Sequence, residues 1–392
     1  LTIAGTVLVS HHYGAGDRQG VNHSSSQTVF ILFFVSVILA GVGYFLSPHL
    51  MRLIGADPEI YDDAVVYFRV SSLGFVFLFM FFVFQSLMRG IGDVMLPMYI
   101  VLGTVFLNLV LDPLFIFGFG PVPAYGVAGA AWASITTQGL SAVVGLAVLF
   151  RGKRGIHISL KEMGWDFAFV KRLFELGLPA GIDQSTRAAA MTVMVMLITG
   201  FGSEVVAAYG VGARILSIII IPALGFSIAT TSLVGQNIGA GQFDRSERIG
   251  KLAARIAFFG LSAVGILFFI FAENITAVFV PNDPQVIKDS ALFLKIMSPS
   301  FGLIGLQQVM NGVFNGAGFT QASMLLSIFA LWIIRFPTAF MLSNNTDLGS
   351  EGIFWAFPIS NILAAVTGYI YFRMGYWKVR AIRKQEASSE SG

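Results

Sequence analysis

Thr6-Val-Leu-Val-Ser-His-His-Tyr-Gly-Ala-Gly16 returns later in the chain as Thr231-Ser-Leu-Val-Gly-Gln-Asn-Ile-Gly-Ala-Gly241. The echo continues: Asp57-Pro58 pairs with Asp283-Pro284, Tyr67-Phe-Arg-Val70 with Phe293-Leu-Lys-Ile296, and Arg89-Gly-Ile-Gly92 with Asn315-Gly-Ala-Gly318. Pro113 then meets Pro337, and Gly126, Gly129 and Trp132 meet Gly349, Gly352 and Trp355. The offset stays at about 225 residues and drifts by about three, so the chain reads as two copies of one unit, repeated in the same sense.

What lies between the echoes is apolar. Hydrophobic residues make up 56% of the 392 residues and charged ones 11%, with a mean hydropathy of +0.79, far from the quarter or so of charged residues usual in soluble domains. Runs near 29–48, 64–88, 95–119, 126–150, 168–200, 205–235, 250–277, 289–313, 321–343 and 351–373 are each long enough for a membrane helix, preceded by a stub at the N-terminus. The expected fold is therefore an all-α polytopic membrane protein of two pseudo-symmetric six-helix bundles. By the repeat arithmetic its first helix and most of its second are missing, roughly 60 residues at the usual span length. The expected divisions are an N-terminal lobe over 1–150, a linker over 151–166, a C-terminal lobe over 167–376 and a cytoplasmic tail over 377–392.

Most of the 24 Lys and Arg residues fall on one set of alternate loops, among them Arg151, Lys153, Arg154, Arg245, Arg248, Arg380 and Arg383. The positive-inside rule makes that side, and with it the C-terminus, cytoplasmic in a plasma membrane. A net charge of +3 spread between apolar runs gives no footprint for nucleic acid. Cysteine is absent and the five histidines show no ligand spacing, so neither a thiolate nor a metal site is expected. No clustered His/Asp or Ser/His set suggests an enzyme, and Gly239-Ala-Gly241 lacks the Lys-Ser/Thr of a phosphate loop. The 38 Phe residues read as lipid-facing and packing side chains.

Within this apolar background, Asn108-Leu-Val-Leu-Asp112-Pro113 stands out. Asp112 is the only formal charge between Leu96 and Phe119. An ionised carboxylate there costs about 2.5–3.5 kcal/mol, so it favours protonation or a bound cation. Asn108 sits one helical turn away on the same face, and Pro113 has no N–H for the carbonyl of Leu109. In the second copy Phe336 stands in place of Asp112 and Arg335 in place of Leu111. Asp183 and Arg187 also lie inside a span, at the spacing of a helical ion pair. Arg335 and Arg214 are open to two readings, an anionic group or snorkelling and carbonyl pairing.

Ser10-His-His-Tyr-Gly-Ala-Gly-Asp17, Gly235-Gln-Asn-Ile-Gly-Ala-Gly241, Gly177-Leu-Pro179, Arg89-Gly-Ile-Gly-Asp93 and Asn108-x-x-x-Asp112-Pro113 together resemble the multidrug and toxic compound extrusion (MATE) family, over the whole chain. The resemblance implies a cation-coupled antiporter that exports amphiphilic or cationic organic compounds from a cleft between two lobes. It needs no cofactor beyond H⁺ or Na⁺ and no partner beyond its substrate and the bilayer, and it works as a monomer. Similarity to the DinF-like branch implies that Asp112 and Asn108 form the coupling site with an acid on the absent first helix, and that Tyr67, Gln85 and Ser134 line the same pocket. In another branch the coupling acids lie in the second lobe; the tenth-helix position falls here near Ile304, so that site is expected to be absent. Asp183, Arg187 and Arg335 are the polar residues of the second lobe to watch. A lipid or lipid-linked oligosaccharide flippase of the same superfamily is the rival reading.

Overall fold

The computed structural model describes residues 1–55, 57–120, 123–281 and 283–382. By its contacts the chain divides into two units, Leu1–Phe174 and Glu175–Gly392.

Unit 1 holds α1 (Thr2–Gly14), α2 (Arg18–Ile54), α3 (Tyr61–Gly90), α4 (Met95–Phe117) and α5 (Val127–Arg151). The Gly-Ala-Gly turn ends α1, and Asp17 starts α2 by accepting the Gly20 N–H at 2.8 Å, an N-cap that satisfies an otherwise unpaired donor. That backbone bond, helped by the His12 imidazole 2.8 Å away, holds the Asp17 carboxyl below its usual range. α3 is the axis of the unit, packed on α1, α2 and α5. Its Val83, Phe84, Leu87 and Met88 are fully buried against Val9, Leu32, Ala142 and Leu149. α4 lies on the outside, covered mainly by α5.

The segment expected as a linker differs from that expectation, because its side chains find partners on α2. Ile156 and Ile158 enter the core of unit 1. Gln27 donates to the Glu162 carbonyl, Ser26 to the Glu162 carboxylate at 3.2 Å, and the His157 N–H to Asn22 at 2.8 Å. Asp166 then meets His23 at 3.2 Å and accepts the Phe169 N–H at 3.0 Å. That backbone bond first, and His23 second, keep the Asp166 carboxyl below its ordinary value.

α6 (Phe167–Thr199) carries the unit boundary within its length. Unit 2 continues with α7 (Ser203–Gly239), α8 (Phe243–Ile270), α9 (Ala272–Phe279), α10 (Pro284–Met297), α11 (Phe301–Gly316), α12 (Thr320–Ile328), a π-helical stretch (Phe329–Arg335), α13 (Phe336–Asn344) and α14 (Ser350–Met374). The expected span at 289–313 is broken: Ser298-Pro-Ser300 forms a 3-10 turn between α10 and α11. Pro299 supplies no N–H there, whereas unit 1 has Leu73 and an unbroken α3. The π stretch has the same kind of cause. Pro337 cannot donate, and the Phe336 N–H reaches back five residues to Leu331. Residues 377–382, expected as tail, are helical and docked on unit 2. Trp377 is fully buried, stacked 5.6 Å from Phe372, and Lys378 pairs with Asp244. Those pairings hold the Lys378 ammonium pKa above its usual value. Arg383 lies outside the described residues.

Within each unit the repeat is visible in atomic detail. Thr6 donates to the Ser86 carbonyl at 2.9 Å, and Thr231 to the Gly312 carbonyl at 3.2 Å. Asp57 caps the Glu59 N–H as Asp283 caps Gln285. Gly126 starts α5 at φ 56°, ψ −133°, and Gly349 starts α14 at φ 54°, ψ −126°, a region closed to side-chain-bearing residues.

Among the described residues, eight helical runs are long and apolar enough to cross a bilayer: α2, α3, α4, α5, α7, α8, the run Thr320–Asn344, and α14. Their surfaces invert the pattern of a soluble protein. Phe33, Ile38, Phe45, Phe106 and Leu109 are exposed, while Ser24 to Thr28, Ser72, Ser86 and Thr137 are buried. Buried hydroxyls such as Ser72 and Thr137 return their protons to carbonyls one turn back, so that these donors are not left unpaired in hydrocarbon.

Candidate functional site

α4 stays helical through Pro113, and its Thr104, Asn108 and Asp112 follow one another at one-turn intervals, all half-buried. The Asn108 amide donates to Asp112 Oδ1 at 3.3 Å. Thr104 turns inward to the carbonyls of Ile100 and Val101, both 3.0 Å away. Among the described residues no cation pairs with Asp112. The carboxylate thus has one neutral donor and the remainder of its acceptor capacity open, beside a backbone carbonyl, that of Leu109, which Pro113 deprives of its helical donor. Chemically, such an arrangement can accept a proton or a small cation.

Gly129 holds α5 close against α4 at this level: a Cβ there would lie 2.3 Å from the Phe115 carbonyl oxygen. Ser134 is half-buried further along α5. Tyr67 and Gln85 occupy opposite ends of α3, separated by about 27 Å of helical rise. Gln85 is engaged by Arg89, whose Nη1 donates to it at 3.2 Å. Among the described residues no hydrogen bond joins Tyr67, Gln85 or Ser134 to Asp112.

Unit 2 gathers a second polar cluster. Arg187 Nε donates to Asp183 Oδ1 at 3.1 Å and its Nη2 to the Ser327 hydroxyl at 2.7 Å. The i,i+4 ion pair is as the spacing suggests, with Asp183 buried. Arg335 closes the π stretch. Its Nε donates to Ser360 Oγ at 2.8 Å, its Nη2 to Asn361 Oδ1 at 2.7 Å, and its guanidinium lies 4.6 Å over the Phe357 ring. Asn361 in turn donates to Ser300 at 3.2 Å, at the broken-helix turn. Ile304 stands one turn beyond, in α11. Arg214 is exposed on α7.

The geometry can be set beside known proteins. The MatE family model matches residues 1–114 and 179–341. The chain belongs to the MatE family. Relatives include the probable multidrug resistance protein YpnP of Bacillus subtilis, 27% identical over 379 residues, covering 96% of this chain and 83% of that protein. The probable multidrug resistance protein NorM of Thermotoga maritima is 29% identical over 397 residues, covering 100% of this chain and 84% of that one. A crystal structure of MATE in the bent conformation superposes with a TM-score of 0.90 at 26% identity, covering 98% of this chain and 84% of that chain. As a MatE member the chain is a multi-pass membrane transporter and not an enzyme.

Ser300, Ser327, Ser360 and Asn361 are polar residues of unit 2 that the sequence alone did not single out. Ser327 and Ser300 are ordinary small residues of membrane helices. Asn361, an amide in the apolar run 351–373, is the one visible signal.

Proposed function

We propose that this MatE protein is a cation-coupled antiporter, driven by H⁺ or Na⁺, that exports amphiphilic or cationic organic compounds by alternating access. It works as a monomer in the plasma membrane with its C-terminus on the cytoplasmic side. The observation that carries the reading is Asp112, the single formal charge of α4, bound by Asn108 and by no cation among the described residues. In a membrane segment such a carboxylate gains by taking up a proton or cation. A relative named as a multidrug resistance protein supports the substrate class, and none of the relatives described above carries a name that speaks for a flippase.

The coupling follows from linkage. A cation taken up from outside at Asp112 stabilises the state that binds substrate poorly, so its entry drives release. A membrane potential of 100 mV supplies about 2.3 kcal/mol per charge, enough for a concentration ratio of about 50 from one cation. The test is Asp112→Asn in everted vesicles, with dye efflux followed under an imposed pH gradient and separately under an imposed Na⁺ gradient. Efflux driven by the effective gradient is expected to fall at least about tenfold, the worth of one charge-assisted interaction. Wild-type efflux in the variant refutes the mechanism.

A further inference from the structure

The cluster in unit 2 contains two guanidinium groups, Arg187 and Arg335, and one carboxylate, Asp183. Arg187 uses that carboxylate. Among the described residues Arg335 has only neutral partners: two side-chain oxygens and the face of an aromatic ring. A guanidinium carries five N–H donors, and the two bonds to Ser360 and Asn361 leave three of them unspent. The residue is half-buried in the fold of unit 2.

Snorkelling does not account for this. A snorkelling arginine extends along its helix towards the interface with a free head group. Arg335 is instead tied down on one edge by Ser360 and Asn361 and on one face by Phe357, and Asn361 is itself fixed by Ser300. Ser360 and Asn361 are buried, at 0% and 4% exposure. The guanidinium is therefore held in one orientation, with its remaining donors making no hydrogen bond among the described residues. A fixed cation with only neutral partners in a low-dielectric lobe is costly unless an anion completes it. Unit 1 has no counterpart: Leu111 occupies the equivalent place, with Thr137 and Gln138 where unit 2 has Ser360 and Asn361.

We propose that unit 2 carries a binding subsite for the carboxylate or phosphate group of an amphiphilic ligand, with Arg335 as its anion anchor and Arg187 as a second, flanking cation. The anion docks on the free edge of Arg335, where charge-assisted and bidentate geometry favours a planar or tetrahedral oxyanion. Phe357 and Tyr209, whose rings lie 6.1 Å apart beside it, supply apolar surface for the rest of the ligand. The inference rests on the transporter reading above and narrows it. Ligands of this site carry a negative group, whether they are cytoplasmic solutes or lipids with an anionic head.

The test uses three probes that share one dansyl-alkyl body and end in a carboxylate, its primary amide, or a trimethylammonium group. Binding to the purified full chain is read by fluorescence titration in nanodiscs of phosphatidylcholine. The carboxylate probe is expected to bind at least about tenfold more tightly than the amide, and Arg335→Gln to abolish that preference by weakening the carboxylate probe far more than the amide. Asn361→Asp guards against a folding artefact. It keeps the shape of the side chain and places a carboxylate 2.7 Å from the Arg335 Nη2, so the anchor is neutralised from within and anion selectivity is lost in a folded protein.

Repeating the titration with phosphatidylglycerol in the nanodisc separates the sources. Competition that disappears in Arg335→Gln assigns the site to a lipid head group, and no competition assigns it to solutes. Equal binding of carboxylate and amide by the wild-type chain, or selectivity that survives both substitutions, overturns the proposal. Failure of the coupling reading shows itself elsewhere, as gradient-driven efflux that persists in Asp112→Asn.

Discussion

Gly129→Ala probes whether close packing of α5 on α4 positions Asp112. The added Cβ would sit 2.3 Å from the Phe115 carbonyl oxygen, 2.5 Å from its carbon and 2.8 Å from the Ile116 nitrogen, all backbone atoms. Real Cβ contacts essentially never fall below 3.0 Å, so α4 must move by about 0.7 Å or more. No flexible side chain can absorb the displacement. Overpacking of this kind costs about 1–3 kcal/mol, or roughly 2–4 °C of unfolding midpoint per kcal/mol for a unit of this size.

Phe115 follows Asp112 by less than one turn, so the same shift moves the Asn108–Asp112 pair, and ion-coupled efflux should fall together with stability. The assay is a thermal melt of the purified protein at one fixed scan rate, paired with gradient-driven dye efflux in vesicles. Gly103→Ala, on α4 itself, is the control. Its Cβ meets nothing within 4 Å, so the gain in helix propensity should leave stability equal or slightly raised. If Gly129→Ala melts and transports like Gly103→Ala, the claim that backbone contact with α5 sets the site is wrong.

Two further outcomes are expected. Gly126→Ala and Gly349→Ala each force a side chain into backbone near φ 55°, and each should destabilise its own unit by about 1–3 kcal/mol; unequal losses in parallel melts would show that the two turns are not equivalent. Asp166→Asn removes a carboxylate whose pKa in the folded chain lies below its value of 3.8 in the unfolded chain. The lowered pKa means that the stabilising effect is complete above pH 3.8 and is lost as pH falls through the folded value. The difference in melting between wild type and variant should therefore be constant at neutral pH and vanish in acid, and a difference that grows in acid would contradict the assignment.

The duplication was legible because it lives in residues with little latitude: the Gly-Ala-Gly turns, the Asp-Pro caps, and glycines at backbone angles or contacts that nothing else tolerates. Asp112 and its Asn108 partner were legible for a different reason. A charge in an apolar helix is an anomaly, and a spacing of four fixes who can reach it. Arg187 with Asp183 followed the same rule. The partners of Arg335 did not, because Ser360 and Asn361 sit on another helix, and no local periodicity joins α14 to the π stretch. The break at Pro299 was written in the sequence, yet membrane helices carry proline without breaking, as α4 and α7 do. The docking of 151–166 and of Trp377 was hidden for want of any pattern: a few isolated apolar residues between charges fill cavities that only the folded unit creates.

The π stretch Phe329–Arg335 also changes how the helix counts. Closing rings of five residues in place of four, it turns through a smaller angle per residue than its α-helical flanks. Over seven residues the lag amounts to about a third of a turn. Side chains before and after the stretch thus belong to two helical wheels with different zero points. A wheel drawn through Thr320–Asn344 at a single pitch would assign Arg335 to the wrong face, and so would an alignment that lays this run on the uninterrupted α4. The arginine points where it does through a change of phase.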